Sequence, residues 1–144
     1  MCSIYDLVKN QEMCVAEVND SVMEVARAMV EHNIGAVPVL REGKLAGVFS
    51  ERDLMRRMVV EGRDPDRTRV GEVMTREPLS VGPSDDLEHC LLLMREHGFR
   101  HLPICEGGKL IGIVSLRDLL LRDLSEKDDE VRLMRAYIHS APEL

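Results

Sequence analysis

At 144 residues the chain has room for one compact domain or two small halves. Its 44% apolar and 31% charged residues are ordinary for a soluble globular protein, and no run approaches the roughly 20 apolar residues of a membrane span. A net charge of −7 without a basic run argues against long nucleic acid as a partner, and 3% aromatic content with no Trp offers few platforms for stacking bases.

The first ten residues, M-C-S-I-Y-D-L-V-K-N, lack the basic-then-apolar order of a secretory signal. The four cysteines (Cys2, Cys14, Cys90, Cys105) form no C-x-x-C, and Cys90 and Cys105 sit in apolar contexts. A reduced, cytoplasmic chain with no membrane association is the expectation.

Ser3–Val8 opens the chain in the place that V-G-E-V-M-T (Val70–Thr75) occupies later. Ser21 with Glu24 three residues on forms a capping box. Val22, Val25, Ala26, Met29 and Val30 then recur at helical spacing. Ala36–Leu40, A-V-P-V-L, reads as a short strand whose proline belongs at an edge, bulge or strand end. The turn R-E-G-K and the run L-A-G-V-F complete a hairpin, and a second helix starts after Ser50. Glu61–Arg69 is polar and turn-rich, a natural linker.

The order then recurs. After P-S-D-D, Leu87, Cys90, Leu91 and Met94 form an apolar helical face broadened by Leu92 and Leu93. H-L-P-I-C (His101–Cys105), the turn E-G-G-K, the run L-I-G-I-V and a helix after Ser115 follow. Residues 29–54 and 94–119 align without a gap at an offset of 65, and 12 of those 26 positions are identical. An internal repeat of this quality decides the architecture. Each unit reads β-α-β-β-α. One unit of about 60 residues buries too little surface to be comfortably stable, so two units packed sheet against sheet around a shared core, with pseudo-two-fold symmetry, are expected. The fold class is α/β (α+β). The boundaries read as 3–61 for repeat one, 68–124 for repeat two and 125–144 for a helical C-terminal extension. Within that extension, Asp128–Ile138 places acids before cations and Val131, Met134 and Ile138 on one line, so a short helix docked on the body or on a dimer partner is expected.

Each repeat ends in the same polar cluster, G-V-F-S-E-R-D at Gly47–Asp53 and G-I-V-S-L-R-D at Gly112–Asp118. Ser-x-x-Asp at a strand-to-helix junction has a structural reading: the hydroxyl caps the helix and the carboxylate reaches back. It also has a functional one. The helix start offers free N–H groups to a phosphate, Gly47 permits close approach, and a carboxylate can accept ribose hydroxyls. The two readings are compatible.

I-G-A-V-P-V, S-E-R-D, the V-x-E-V-M-T lead-in, F-R-H-L-P-I and the terminal Y-I together resemble the CBS domain family, named for cystathionine β-synthase, and in particular small stand-alone bacterial CBS pairs. The resemblance covers nearly all of residues 3–122. It implies a regulatory, energy-sensing module that binds an adenine nucleotide between the repeats: AMP or ATP first, ADP in the same class, with NAD(H) and S-adenosylmethionine as further adenosyl ligands. It maps Ser50 and Ser115 to phosphate or ribose and Asp53 and Asp118 to ribose. It places Ala36, Val37 and Pro38, with Leu102 and Pro103, around the adenine, although plain core strand is the other reading of these runs. Arg52, Arg117 and Arg100 are candidate phosphate partners or solvated surface arginines. His101 is a candidate proton-sensitive contact or a structural histidine.

His97 and His101 lie four apart, but Gly98 should break the helix between them, and no Cys or carboxylate completes a metal set. No nucleophile, base and orienter stand in a recognisable pattern, so no catalytic residue and no catalytic cofactor are expected. The partners implied are a small adenosyl ligand, a second copy in a homodimer through helix faces around Leu91–Met94 and Leu119–Leu121, and an effector protein that the sequence does not name. The rival readings are a structural or protein-interaction scaffold without nucleotide, and an enzyme such as a phosphohydrolase.

Overall fold

The computed structural model describes residues 3–140; Cys2 and the side chains of Tyr137 and Ile138 lie outside the described residues. The chain forms α1 (Ile4–Val8), β1 (Ala16–Glu17), α2 (Val22–His32), β2 (Ala36–Arg41) and β3 (Lys44–Ser50). Then come α3 (Glu51–Asp53), which continues as a π-helical stretch over Leu54–Val59, α4 (Val70–Val73) and β4 (Thr75–Arg76). The second half adds α5 (Leu87–His97), β5 (His101–Glu106), β6 (Lys109–Ser115) and α6 (Leu116–Ser140).

From β1 to the end of β3 the first half is copied residue for residue, at the offset of 65, by Val81 to the end of β6. Ser21 caps α2 by accepting from the Glu24 N–H at 3.1 Å, and Asp86 caps α5 by accepting from the His89 N–H at 2.7 Å. Asn33 and Gly98 end these helices in the left-handed conformation. β2 pairs antiparallel with β3 from Ala36↔Ser50 to Arg41↔Lys44, and β5 with β6 from His101↔Ser115 to Glu106↔Lys109. Both hairpins carry an irregularity at the same place, after Val39 and after Ile104. β1 runs parallel to β2 through Ala16↔Val39, and Val81 bridges Ile104 in the same sense.

The proline expectation is met: β5 is an edge strand of a two-stranded sheet, and β2 is unpaired on one side at Pro38. Pro38 and Pro103 stand inside six-residue strands and one residue before the irregularity. β1 meets β2 only from Val39 onward, so at Pro38 β2 has one neighbouring strand and the missing N–H breaks no second ladder.

The core is divided rather than shared. One apolar cluster gathers Val22, Val25, Met29, Val37, Val39 and Phe49; the other gathers Leu87, Cys90, Met94, Leu102, Ile104 and Val114. Each is completed from the opposite half. Val70, Val73 and Met74, around α4, fill the first cluster, while Ile4 and Val8 of α1 fill the second. The crossing is reciprocal: Ile4 N–H donates to Asp85 C=O at 3.0 Å, and Val70 N–H donates to Asp20 C=O at 2.8 Å. The segments written in sequence as the openings of their own repeats are therefore exchanged between repeats.

This exchange explains the strand glycines. A Cβ on Gly47 would lie 2.6 Å from Met74 Sδ and from the Thr75 carbonyl oxygen; one on Gly112 would lie 2.7 Å from Val8 Cβ and 2.8 Å from Gln11 Oε1. What comes close to Gly47 is the chain's own lead-in segment.

The C-terminal segment departs from expectation as well. α6 is one helix of 25 residues, with no break at residues 125–130, and the described side chains past Leu124 are exposed. α6 packs on the body through Leu116 and Leu119, and none of the described side chains past Leu124 is buried there.

Candidate functional site

Ser50 and Ser115 end their strands in extended backbone, and each heads a helix. In the first half the hydroxyl accepts from Asp53 N–H at 3.3 Å, and the Asp53 carboxylate accepts from Ser50 N–H at 3.0 Å. In the second half, Asp118 N–H donates to Ser115 Oγ at 3.1 Å and Ser115 N–H donates to Asp118 Oδ2 at 3.3 Å. The capping reading of Ser-x-x-Asp thus describes both junctions, and the first backbone donors of each helix are partly satisfied from within.

The junctions face one another across the seam between the halves. β3 lies against β6 there. Glu51 N–H donates to Gly35 C=O at 3.0 Å, and Leu116 N–H donates to Arg100 C=O at 2.7 Å, so each helix start is tied to the beginning of its own hairpin. A methyl on Gly35 would meet His101 Cε1 at 3.4 Å and the Glu51 carboxyl carbon at 3.5 Å. Arg52 reaches across and donates from Nη1 to Gly98 C=O at 3.2 Å. His101, half-buried, is held below the usual imidazole value chiefly by burial, with Arg100 adding to the effect and Glu51 and Asp118 opposing it.

Not all the sequence-predicted residues are available to a ligand in the same way. Val37 and Leu102 point into the two clusters and are fully buried, so only their backbone could serve one. Ala36, Pro38 and Pro103 are buried yet belong to neither cluster. Arg100 and Arg117 are exposed at the surface. His97 stacks on Phe99 at the end of α5, with ring centroids 5.5 Å apart, while His101 lies on β5, so the two histidines share no helix face. Among the described residues no group of three His, Cys, Asp or Glu is placed to hold a metal. Cys90 is a core thiol pushed up to about 11 by burial, with Asp85 and Asp86 adding to it, which keeps it protonated and inert.

One motif opens on a hollow. A cavity of about 530 Å3 lies beside Asp118, with Leu7, Val114 and Leu121 as its apolar wall and Asn10, Gln11 and Arg122 as polar neighbours. That volume lies within the range of small-ligand sites, roughly 300–1,000 Å3. Sequence reasoning missed the residues from the chain start, because only the exchange of lead-in segments brings them to α6. A second hollow of about 470 Å3, between Arg41, Arg69 and Arg76 at the far end of the first hairpin, contains none of the predicted residues.

Two exchanged halves of this topology, each closing with Ser-x-x-Asp at the seam, are matched by the model of one family, the CBS domain, at residues 6–60 and again at 70–125. The chain belongs to the CBS domain family. The CBS domain-containing protein YhcV of Bacillus subtilis is 39% identical over 127 residues, covering 88% of this chain and 89% of that one. A solved protein with CBS domains from Burkholderia ambifaria superposes with a TM-score of 0.81 at 35% identity, over 86% of this chain and 95% of that one. The structure of CBSX2 in complex with AMP superposes with a TM-score of 0.74 at 29% identity, over 87% of this chain and 98% of that one. As a CBS pair, the chain has the α+β fold in which two repeats stand side by side. No helix among its described residues is long and apolar enough to cross a membrane.

Proposed function

We propose that this CBS pair is a non-catalytic, ligand-sensing regulatory module that takes an adenosyl ligand at the seam between its repeats. The ligand class is AMP, ADP or ATP, with NAD(H) and S-adenosylmethionine as the further members. The observation that carries the reading is the placement of both Ser-x-x-Asp motifs at helix starts on the seam, one of them beside a cavity of ligand size. The AMP complex of CBSX2 supports it. A carboxylate at a helix start accepts the paired hydroxyls of a ribose, and the helix start favours a phosphate. In a chain with 3% aromatic residues the adenine has aliphatic walls, and Leu7, Val114 and Leu121 supply one. Signalling follows if the ligand prefers one arrangement of the pair over another, since only differential affinity transmits anything.

The arrangement would be read by an effector protein or by a second copy of the chain. The two motif helices present matching apolar side chains to solvent, Met55 and Val59 on one, Leu120 and Leu124 on the other. Exposed apolar surface of this kind marks an association face, and we read it as the face of a homodimer. It replaces the face read from sequence in part: Met94 and Leu119 are buried in the chain's own core, whereas Leu120 and Leu121 remain outside.

Thermal melting with AMP, ADP, ATP, NAD(H) and S-adenosylmethionine tests the function. A ligand at 100 times its Kd adds about 2.7 kcal/mol to the folded state, a shift of several degrees for a domain of this size. A flat response to all five at millimolar concentration would favour the scaffold reading. Turnover of the nucleotide in a product assay would favour the enzyme reading. Light scattering on the full chain and on a chain lacking residues 128–144 tests the dimer, and a monomeric mass for the full chain at micromolar concentration counts against it.

A further inference from the structure

The two Ser-x-x-Asp motifs share a spacing and a capping pattern but not their surroundings. Asp53 is only 7% exposed. Its carboxylate accepts from Ser50 N–H at 3.0 Å and Ser50 Oγ–H at 3.1 Å, and from the Thr75 hydroxyl at 3.1 Å to Oδ1. Arg57 Nε lies 3.9 Å from Oδ1, while Arg57 Nη1 donates to the carbonyls of Val73 and Met74 at 3.2 and 2.6 Å. Thr75 and Arg57 thus bind the Asp53 carboxylate and the lead-in segment of the second repeat into one closed network. Asp118 is exposed, lines the cavity, and accepts through Oδ2 from Ser115 N–H alone; Oδ1 accepts no hydrogen bond among the described residues.

The cause is the exchanged segment. α1 and α4 correspond at an offset of 66, since Ile4 and Tyr5 donate to Asp85 and Pro83 just as Val70 and Gly71 donate to Asp20 and Val18. At that offset Lys9 stands where Thr75 stands, and its ammonium pairs with Asp6 at 3.6 Å. Among the described residues the lead-in segment offers Asp118 no hydroxyl. The contact with the strand changes too. In the first half the backbone of β4 pairs with β3 through Gly47↔Arg76 and Val48↔Thr75. In the second, the side-chain amide of Gln11 makes that contact: Ile113 N–H donates to Oε1 at 3.0 Å, and Nε2 donates to Ile113 C=O at 2.8 Å. A single amide pins the lead-in segment to β6, and the hollow beside Asp118 stays open.

We propose that the chain binds one adenosyl ligand, at Asp118, and that Thr75 and Arg57 are a built-in occupant that keeps the Asp53 motif closed; this rests on the adenosyl-ligand reading above. A ribose arriving at Asp53 would have to displace the Thr75 hydroxyl, which is exposed and turns to solvent, a loss of about two- to tenfold in affinity relative to an open carboxylate. At Asp118 nothing has to leave.

Calorimetric titration of the full chain tests this, with AMP as the first probe and ADP, ATP, NAD(H) and S-adenosylmethionine after it. The expected wild-type result is one ligand per chain. Asp118→Asn should lose affinity by about tenfold or more, and Asp53→Asn should bind within about twofold of wild type. Should Asp53→Asn fail to fold, Thr75→Val keeps the carboxylate and removes the hydroxyl that closes it. That variant should retain the Asp118 event within about twofold and add a second, weaker one. Two equivalent ligands on the wild type, or a loss in Asp53→Asn or Thr75→Val as large as that in Asp118→Asn, would overturn the asymmetry while leaving the adenosyl reading intact. Silence of the wild type toward all five probes would overturn both.

Discussion

At an offset of 65 the first and second halves agree in the limits of α2 and α5, hairpin register and the place of the irregularity, yet they differ at the two carboxylates that follow their hairpins. Asp53 is enclosed by a threonine and an arginine, and Asp118 stands beside a cavity. A duplicated motif fixes how the local backbone turns from strand to helix. It does not decide which atoms are left for a ligand. That is settled by a segment from the other repeat, which arrives one residue out of step and with different side chains.

Substitutions at paired positions sharpen the comparison. The largest difference is expected in the cores, where Phe49 and Val114 occupy equivalent places and both are buried. Phe49→Ala should cost about 3–5 kcal/mol in urea unfolding, and Val114→Ala about 2 kcal/mol. Equal losses would show that the two cores do not respond separately. Next come the carboxylates themselves. Asp53→Asn disturbs a buried network and should cost about 1–3 kcal/mol. Asp118→Asn keeps a capping side chain on an exposed residue and should cost no more than about 0.5 kcal/mol. Melting curves without ligand decide, and a larger loss at Asp118 would contradict the closed and open assignments.

The hairpin tips give a smaller contrast. Glu42 and Gly43 take φ of +51° and +79°, where Gly107 and Gly108 take +58° and +80°. A side chain at the first of these positions is strained in the first hairpin only, so Glu42→Gly should stabilise by about 0.5–1 kcal/mol; a destabilised variant would refute the strain. The last contrast is one of pH. His101 replaces Ala36 of the first half and is held below its ordinary value of 6.5, mainly by burial. The unfolded chain therefore binds the proton first as pH falls below 6.5. The stability that a neutral His101 supplies is present above 6.5 and declines from there down to its native value. His101→Asn should flatten the melting temperature across that interval, and an unchanged slope would remove His101 from the account.

Much of the fold was legible because its signals are local. Ser21 with Glu24, P-S-D-D before Leu87, and the glycine turns announce their elements within a few residues, and the offset of 65 doubled every signal. The Ser-x-x-Asp junctions were legible for the same reason. The exchange of α1 and α4 was not, since helices of five and four residues carry no periodicity to show where they pack. Two traces of it were present: a glycine inside each second strand, Gly47 and Gly112, which signals close approach of another segment, and the unequal spacing from lead-in to first strand. The role of Gln11 left no trace, because an amide standing in for a strand is set by tertiary contact alone. The continuity of α6 was obscured by the charged run at residues 125–130, yet Lys127 within that run pairs i,i+4 with Asp123 before it at 3.1 Å.

Native mass spectrometry of the full chain, as purified and after addition of AMP, decides between one open motif and two, because it counts ligands per chain without assuming a site. One adenosyl ligand per chain is expected at saturation. Two per chain, or none with AMP or any of the other four adenosyl ligands, would contradict it.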